Sequence, residues 1–194
     1  MDPDLEVVEA VLQGDTNRYG ELVSRYQLVA WKLAYSLVGN MEEAKDLSQN
    51  GFVKAYRHLR GFRRGSKFST WLYRIIANEC KDFLRQKGRQ PPFISISTNA
   101  EADDSSIFDP PDTAKNPRDV AHNRELAKRL ARAIGRLPMK QQMAFVLHHL
   151  NGLPLQEVAQ VMGCRLGTVK AHLFRAAESL RFSIGPLLME EVPR

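Results

Sequence analysis

Residues 153–181 read LPLQEVAQVMGCRLGTVKAHLFRAAESLR, two helical periods interrupted by one tight turn. Pro154 suits a helix start, where a missing N–H costs nothing because that position has no intrahelical partner. Val158, Ala159 and Met162 then share a face, Gly163 and Cys164 supply the turn, and helical spacing resumes. In the second helix Val169, Leu173, Ala176 and Leu180 cluster within an inner arc of about 60° at ~100° per residue. Ala171, Arg175 and Glu178 point away from that arc, with Lys170 and Phe174 on one flank. The pattern predicts a helix-turn-helix whose second helix would lie in a major groove. Arg175 is the candidate base reader, since its fork can pair bidentately with a guanine edge. Phe174 could meet a thymine methyl or pack at the domain edge.

Outward from this motif, charge divides the chain. Lys and Arg number 28 against 22 Asp and Glu in 194 residues, which favours a polyanionic partner. From Lys54 to Arg89 there are eleven basic residues against two acids, Glu79 and Asp82. Between Gln90 and Asp119 the balance reverses to two basic against six acidic, in a Pro- and Ser-containing stretch with no sustained helical period. Helical periodicity and a basic excess return from Val120 onward. The expected organisation is all-α: two small helical domains, 1–89 and 120–194, joined by an extended acidic linker, 90–119. The acidic N-terminus lacks the basic and apolar regions of a secretory leader, and no apolar run nears the ~18 residues of a membrane span, so a cytoplasmic protein is expected. Cys80 and Cys164 have no CxxC spacing and are expected as small hydrophobes rather than a disulfide or zinc site.

Within the first domain, Leu5, Val8 and Leu12 mark a helix ending at Gly14, and Asp15 is a plausible N-cap for the next. That long helix carries an apolar stripe from Tyr19 to Leu37 and stops at Gly39, a C′ glycine. Asn40 with Glu43 resembles a capping box, and Ala44, Leu47, Gly51, Phe52, Ala55 and Leu59 form the third helix's inner stripe. Asp46, Gln49, Asn50, Lys54 and Arg57 lie on its outer face, which by itself reads as ordinary solvated surface. The fourth helix, expected from about Ser69 to Lys87, opposes an apolar face (Phe68, Leu72, Ile75, Ile76, Phe83) to a polar stripe of Arg74, Asn78, Lys81 and Arg85. Upstream, Arg60–Arg74 interleaves four aromatics with five basic residues, and two glycines bracket Arg63 and Arg64. Cations, free amides and aromatic faces are what an unstacked strand requires. Phe68, Trp71 and Tyr73 could serve as core or as stacking platforms.

The run EEAKDLSQNGFVKAYRHLRGFRRGSKFSTWLYRIIANECKDFLRQ (42–86), an acidic linker, and RLPMKQQMAFVLHHLNGLPLQEVAQVMGCRLGTVKAHLFRAAESL (136–180) together resemble the bacterial extracytoplasmic-function (ECF) sigma factors. FSTWLYRIIAN (68–78) and GTVKAHLFRA (167–176) carry the resemblance most specifically. It implies a four-helix region-two domain that melts promoters, a region-four helix-turn-helix domain, and binding to core RNA polymerase. Promoter DNA would be read as a melted minus-10 strand and a duplex minus-35 element, without enzymatic activity, metal or cofactor. Matched residue by residue, Asp46, Leu47, Gln49 and Phe52 fall on the polymerase-binding helix, with Asn50 and Lys54 beside them. Gly61 to Thr70, including Arg63, Arg64, Ser66, Lys67, Phe68, Ser69 and Thr70, match the loop that receives a flipped minus-10 base. Asn78 matches the helix position that also meets that element, and Trp71, with the stripe of Arg74, Lys81 and Arg85, is expected to extend the surface along the fourth helix. Lys170, Ala171, Phe174 and Arg175 match the family's minus-35 contacts, and Arg165 and Thr168 are expected to join them at the helix start.

Three departures from the family pattern stand out: Asn50 and Gly51 replace a usual Glu and aliphatic residue, Ala171 replaces a common Ser, and Arg165 stands where Pro or Ser is frequent. The departure at Gly51 predicts a more flexible helix. The resemblance also implies an anti-sigma partner, which could hold the protein at the membrane without insertion. A helix-turn-helix regulator acting on duplex DNA is the alternative function, although it has no use for the cationic stripe beside a glycine-bracketed loop. An enzyme is disfavoured because His148 and His149 point about 100° apart on a helix and join no carboxylate set.

Overall fold

The computed structural model describes residues 3–62, 65–88 and 127–189, with side chains to Ser183; Arg63, Arg64 and the acidic segment 90–119 lie outside the described residues. Every regular element among these is helical.

Helix α1 (Pro3–Leu12) lays Val7, Val8 and Val11 into the core. Its buried Asp4 accepts hydrogen bonds from Arg25 and Tyr26 of α2 (Tyr19–Val38), which fastens the first helix to the second. The junction between them differs from expectation. Asp15 makes no side-chain cap; a short 3₁₀ turn, Thr16–Arg18, intervenes, and α2 starts after Arg18. Arg18 reaches Glu21 at 2.8 Å and Glu6 at 3.6 Å, so an exposed ion-pair network organises the corner where a cap was expected.

Two expected stops and starts are present. Gly39 adopts φ +72°, and its N–H bonds to the Tyr35 carbonyl at 2.8 Å, closing α2 in the left-handed conformation that glycine tolerates. Asn40 Oδ1 then accepts from the Glu43 N–H at 3.0 Å and opens α3 (Met41–Arg57). The Glu43 carboxylate turns instead to Lys87 at the end of α4 (Phe68–Gln86). Phe68, Leu72 and Ile76 are fully buried on α4 and share one core with Leu22, Leu33 and Leu37 of α2. Each such burial contributes about 1.5–3 kcal/mol before entropy is counted.

Gly51 has a role that its flexibility does not suggest. A Cβ there would stand 2.6 Å from Ile76 Cγ1, so the glycine is what lets α3 and α4 approach.

The second unit comprises a helix over 127–135 (α5), α6 (Met139–Phe145) continuing through a π-helical turn at Val146–Leu150, α7 (Leu155–Met162) and α8 (Leu166–Met189). Gly163, φ +63°, makes the tight turn between α7 and α8. Val169 and Ala176 are wholly buried on α8, and Val158 and Val161 on α7 meet them. His148 Nδ1 lies 2.8 Å from the Leu153 carbonyl and His149 packs on Phe145, so the histidine pair shapes the turn before α7.

The two units touch. Gln142 of α6 is fully buried, and its Nε2 donates to the Ser36 carbonyl of α2 at 3.4 Å, while its Oε1 finds no hydrogen-bond partner among the described residues. An unpaired buried acceptor costs about 1–3 kcal/mol, which makes this seam weaker than either core. Helix α7 lies against α4 along the same seam.

Candidate nucleic-acid and polymerase interface

Helix α4 is two-faced as the periodicity requires. Arg74, Asn78, Lys81 and Arg85 are all exposed, opposite the buried Phe68, Leu72 and Ile76. Lys81 Nζ donates to Asn78 Oδ1 at 3.3 Å, and Arg85 pairs with Asp82 at 3.2 Å one turn back. Among the described residues the stripe thus keeps Arg74 and Lys81 as cations without a carboxylate contact at 4 Å, whereas the Arg85 charge is shared.

The loop before α4 rests on an aromatic cluster. Phe62 packs on Phe68 at 5.8 Å and on Trp71 at 5.2 Å, and Phe68 meets Tyr26 at 5.8 Å. Phe68 has no exposed surface and Tyr73 is buried at 7%, so neither offers a stacking face in this arrangement; they anchor the loop from beneath. Trp71 remains half-buried. Burial, with the nearby carboxylates of Glu157 and Asp4, pushes the Tyr73 phenol up to about 12. Beside the loop an open cleft is lined by Pro3, Asp4, Arg25, Tyr26, Lys67 and Ser69. Arg25 and Tyr26 come from α2 and α1's Asp4 orients both. Nothing in the local sequence of α2 marks them, because the cleft exists only once three helices meet.

On α3, Asp46, Gln49, Asn50 and Lys54 are exposed, whereas Leu47 and Phe52 turn into the bundle core at 7% exposure each. Lys54 forms an ion pair with Glu79 of α4. Between the polar groups stands Val53, 47% exposed, an apolar residue on the outer face that the inner-stripe pattern passed over. The outer face is therefore mixed rather than uniformly polar.

On α8, Thr168, Lys170, Ala171 and Arg175 are exposed, whereas Val169 and Ala176 are buried, and Arg165 is exposed in the turn just before the helix. Phe174 is 65% exposed, which decides between its two readings: it does not pack at the domain edge. Burial, reinforced by Lys140 and Arg175, holds the His172 imidazole below its ordinary value. The Cys80 thiol is pushed up to about 12, chiefly by burial, so it is an inert core residue, while Cys164 is only half-buried at the turn.

Lys67 and Thr70 have a partner that sequence spacing could not disclose. Lys67 Nζ donates to Glu157 Oε1 at 2.7 Å, and Thr70 Oγ1 donates to Glu157 Oε2 at 3.1 Å, across 90 and 87 residues respectively. Glu157 belongs to the first turn of α7.

A four-helix unit with a cationic stripe, followed by a separate helix-turn-helix unit, defines a promoter-recognition subunit of the sigma-70 type. The Sigma-70 region 2 family matches residues 22–90, and the Sigma-70, region 4 family matches 127–180. The chain is 35% identical over 190 residues to the RNA polymerase sigma-H factor of Pseudomonas aeruginosa, covering 96% of each. It is 37% identical over 188 residues to the ECF RNA polymerase sigma-E factor of Escherichia coli K12, covering 95% of this chain and 96% of that one. Its fold is similar to CnrH in the complex with the cytosolic domain of CnrY, with TM-score 0.67 at 24% identity over 98% of this chain and all of the other. It is similar also to the sigma factor RpoE of Bartonella quintana in complex with the anti-sigma factor NepR, with TM-score 0.62 at 22% identity over 86% and 96%. The protein belongs to the ECF sigma factors, alternative sigma subunits of bacterial RNA polymerase. Among the described residues no helix is long and apolar enough to cross a membrane.

Proposed function

We propose that this sigma factor captures the melted minus-10 strand on the loop 65–70 and the α4 stripe, reads the minus-35 duplex with α8, and docks on core polymerase through the outer face of α3. The observation that carries the reading is the separation of α4 into a fully buried apolar face and an exposed row of Arg74, Asn78 and Lys81, on a helix whose N-terminal end, at Lys67 and Ser69, lines an open cleft. A backbone-tracking cationic groove next to a cavity is what a strand with one extruded base requires. For α3, the mixed face of Asp46, Gln49 and Asn50 around Val53 combines an apolar contact with a polar rim. On α8, Arg175 and Lys170 supply one bidentate donor and one point charge, and Phe174 an apolar surface for a thymine methyl.

The protein acts without chemistry of its own: Cys80 is buried and His148 is occupied at its turn. It resides in the cytoplasm, and an anti-sigma partner like those bound to its structural neighbours covers its working faces until released. The test is transcription in vitro with purified core polymerase on a promoter library. Enrichment of templates sharing two upstream elements, lost with Lys81→Ala and Arg175→Ala in different elements, is expected. Specific duplex binding by the isolated protein, with no transcription on adding core, would instead establish a conventional helix-turn-helix regulator.

A further inference from the structure

We infer that Glu157 is an intramolecular latch: it clamps the helix-turn-helix unit onto the strand-binding loop and holds the free protein closed. This rests on the assignment of that loop and of α8 to the two promoter elements.

Glu157 uses both carboxylate oxygens, one on Lys67, immediately before α4, and one on Thr70, in the first turn of α4. Its charge is also felt at Tyr73 one turn on. The same seam brings the α7–α8 turn over the stripe, because an added Cβ on Gly163 would sit 3.4 Å from the Arg74 guanidinium. Three groups assigned to DNA, Lys67, Thr70 and Arg74, are thus in contact with the unit that reads the other element. A carboxylate bridging a lysine and a hydroxyl occupies the same donors that a phosphate would take.

Geometry makes the closed form incompatible with initiation. Elements centred 10 and 35 base pairs upstream are separated by 25 base pairs, about 85 Å of B-form duplex at ~3.4 Å per pair. A loop hydrogen-bonded to α7 at 2.7 Å cannot stand at one while α8 stands at the other. Gly88 and residue 127 are joined by 38 residues, a chain able to span at most about 125 Å, so the units can part to that distance once the seam opens. The seam is suited to opening: Gln142 is buried there with one oxygen unpaired, and Lys67 keeps 66% of its side chain exposed, where salt and competing anions reach it. Core polymerase therefore binds a protein that must first unlatch.

The experiment uses the full chain with Cys164→Ser and dye-bearing cysteines at Gln13 and Ser179, both exposed and outside the faces assigned to polymerase and DNA, leaving buried Cys80 unlabelled. Single-molecule energy transfer reports the separation of the units, and stopped-flow reports association with core polymerase. Glu157→Gln and, independently on the other unit, Lys67→Ala should each raise the open-to-closed ratio by about two- to fivefold, as loss of a partly exposed ion pair implies. Rising salt should do the same to the wild type and leave the variants nearly unchanged. Association with core should accelerate in step. An unaltered distance distribution in both variants would overturn the latch. The strand assignment is judged separately in the assembled holoenzyme, where Lys67→Ala should impair promoter opening and Glu157→Gln should not. Wild-type opening by Lys67→Ala, with both variants open in solution, would refute the strand assignment while supporting the clamp itself.

Discussion

Substituting Gly51 by alanine tests the packing on which the polymerase-docking helix depends. In an unconstrained helix the change would gain about 1 kcal/mol, because glycine loses the most backbone freedom on folding. Here the new methyl would lie 2.6 Å from Ile76 Cγ1 and 3.6 Å from its Cδ1, with Ile76 wholly buried and its Cα only 3.7 Å away. The isoleucine cannot swing into solvent, so α3 and α4 must separate or Ile76 must leave its rotamer, at an overpacking cost of about 1–3 kcal/mol. Gly20, on α2, supplies the control, since nothing lies within 4 Å of its added Cβ. Gly20→Ala should therefore be neutral or stabilising by up to about 1 kcal/mol, and Gly51→Ala should fall about 1–3 kcal/mol below it. Urea unfolding followed by tryptophan emission reads the right unit, because Trp31 and Trp71 both lie in it. Pairing Gly51→Ala with Ile76→Ala should restore part of the loss, since the methyl then enters the space vacated. Equal stabilisation by Gly20→Ala and Gly51→Ala would refute the close-approach argument and leave Gly51 as a point of flexibility.

Lys81→Ala should lower the logarithmic salt slope of holoenzyme–promoter binding by roughly one without changing sequence preference, and Arg85→Ala should do less because Asp82 already shares its charge. Equal slopes for Lys81→Ala and wild type would place that side chain on idle surface. Arg175→Ala should cost about 1–3 kcal/mol at one preferred minus-35 base pair and relax the choice there; uniform weakening for all four bases would mean that it holds phosphate. His172 has its imidazole pushed below the ordinary 6.5, first by burial and then by Lys140 and Arg175. Its folded form thus binds fewer protons than the unfolded chain, so the second unit is most stable above pH 6.5 and loses stability as pH falls through the folded value. An NMR titration midpoint for His172 at or above 6.5 would contradict this.

Much of this architecture is local and therefore readable in one dimension. Gly39 ends a helix because only the residue after it and the four before it matter, and Asn40 starts the next by reaching three residues ahead. The buried and exposed faces of α4 and α8 follow from a period of 3.6 residues acting on side chains already in sequence order. Asp15 failed as a cap for a related reason: a plausible local bond lost to the ion pairs of Arg18, one of which comes from Glu6 on another helix. What only the tertiary structure decided lies wholly between distant segments. Gly51 looks like a soft point until Ile76 is placed against it, Asp4 looks like surface until Arg25 and Tyr26 close on it, and Glu157 looks like a solvated helix residue until Lys67 and Thr70 arrive. Periodicity tells which way a side chain points from its own axis. It does not tell which of the other helices, each presenting a similar apolar stripe, will stand there, and that choice is made by the summed packing and charge of the folded chain.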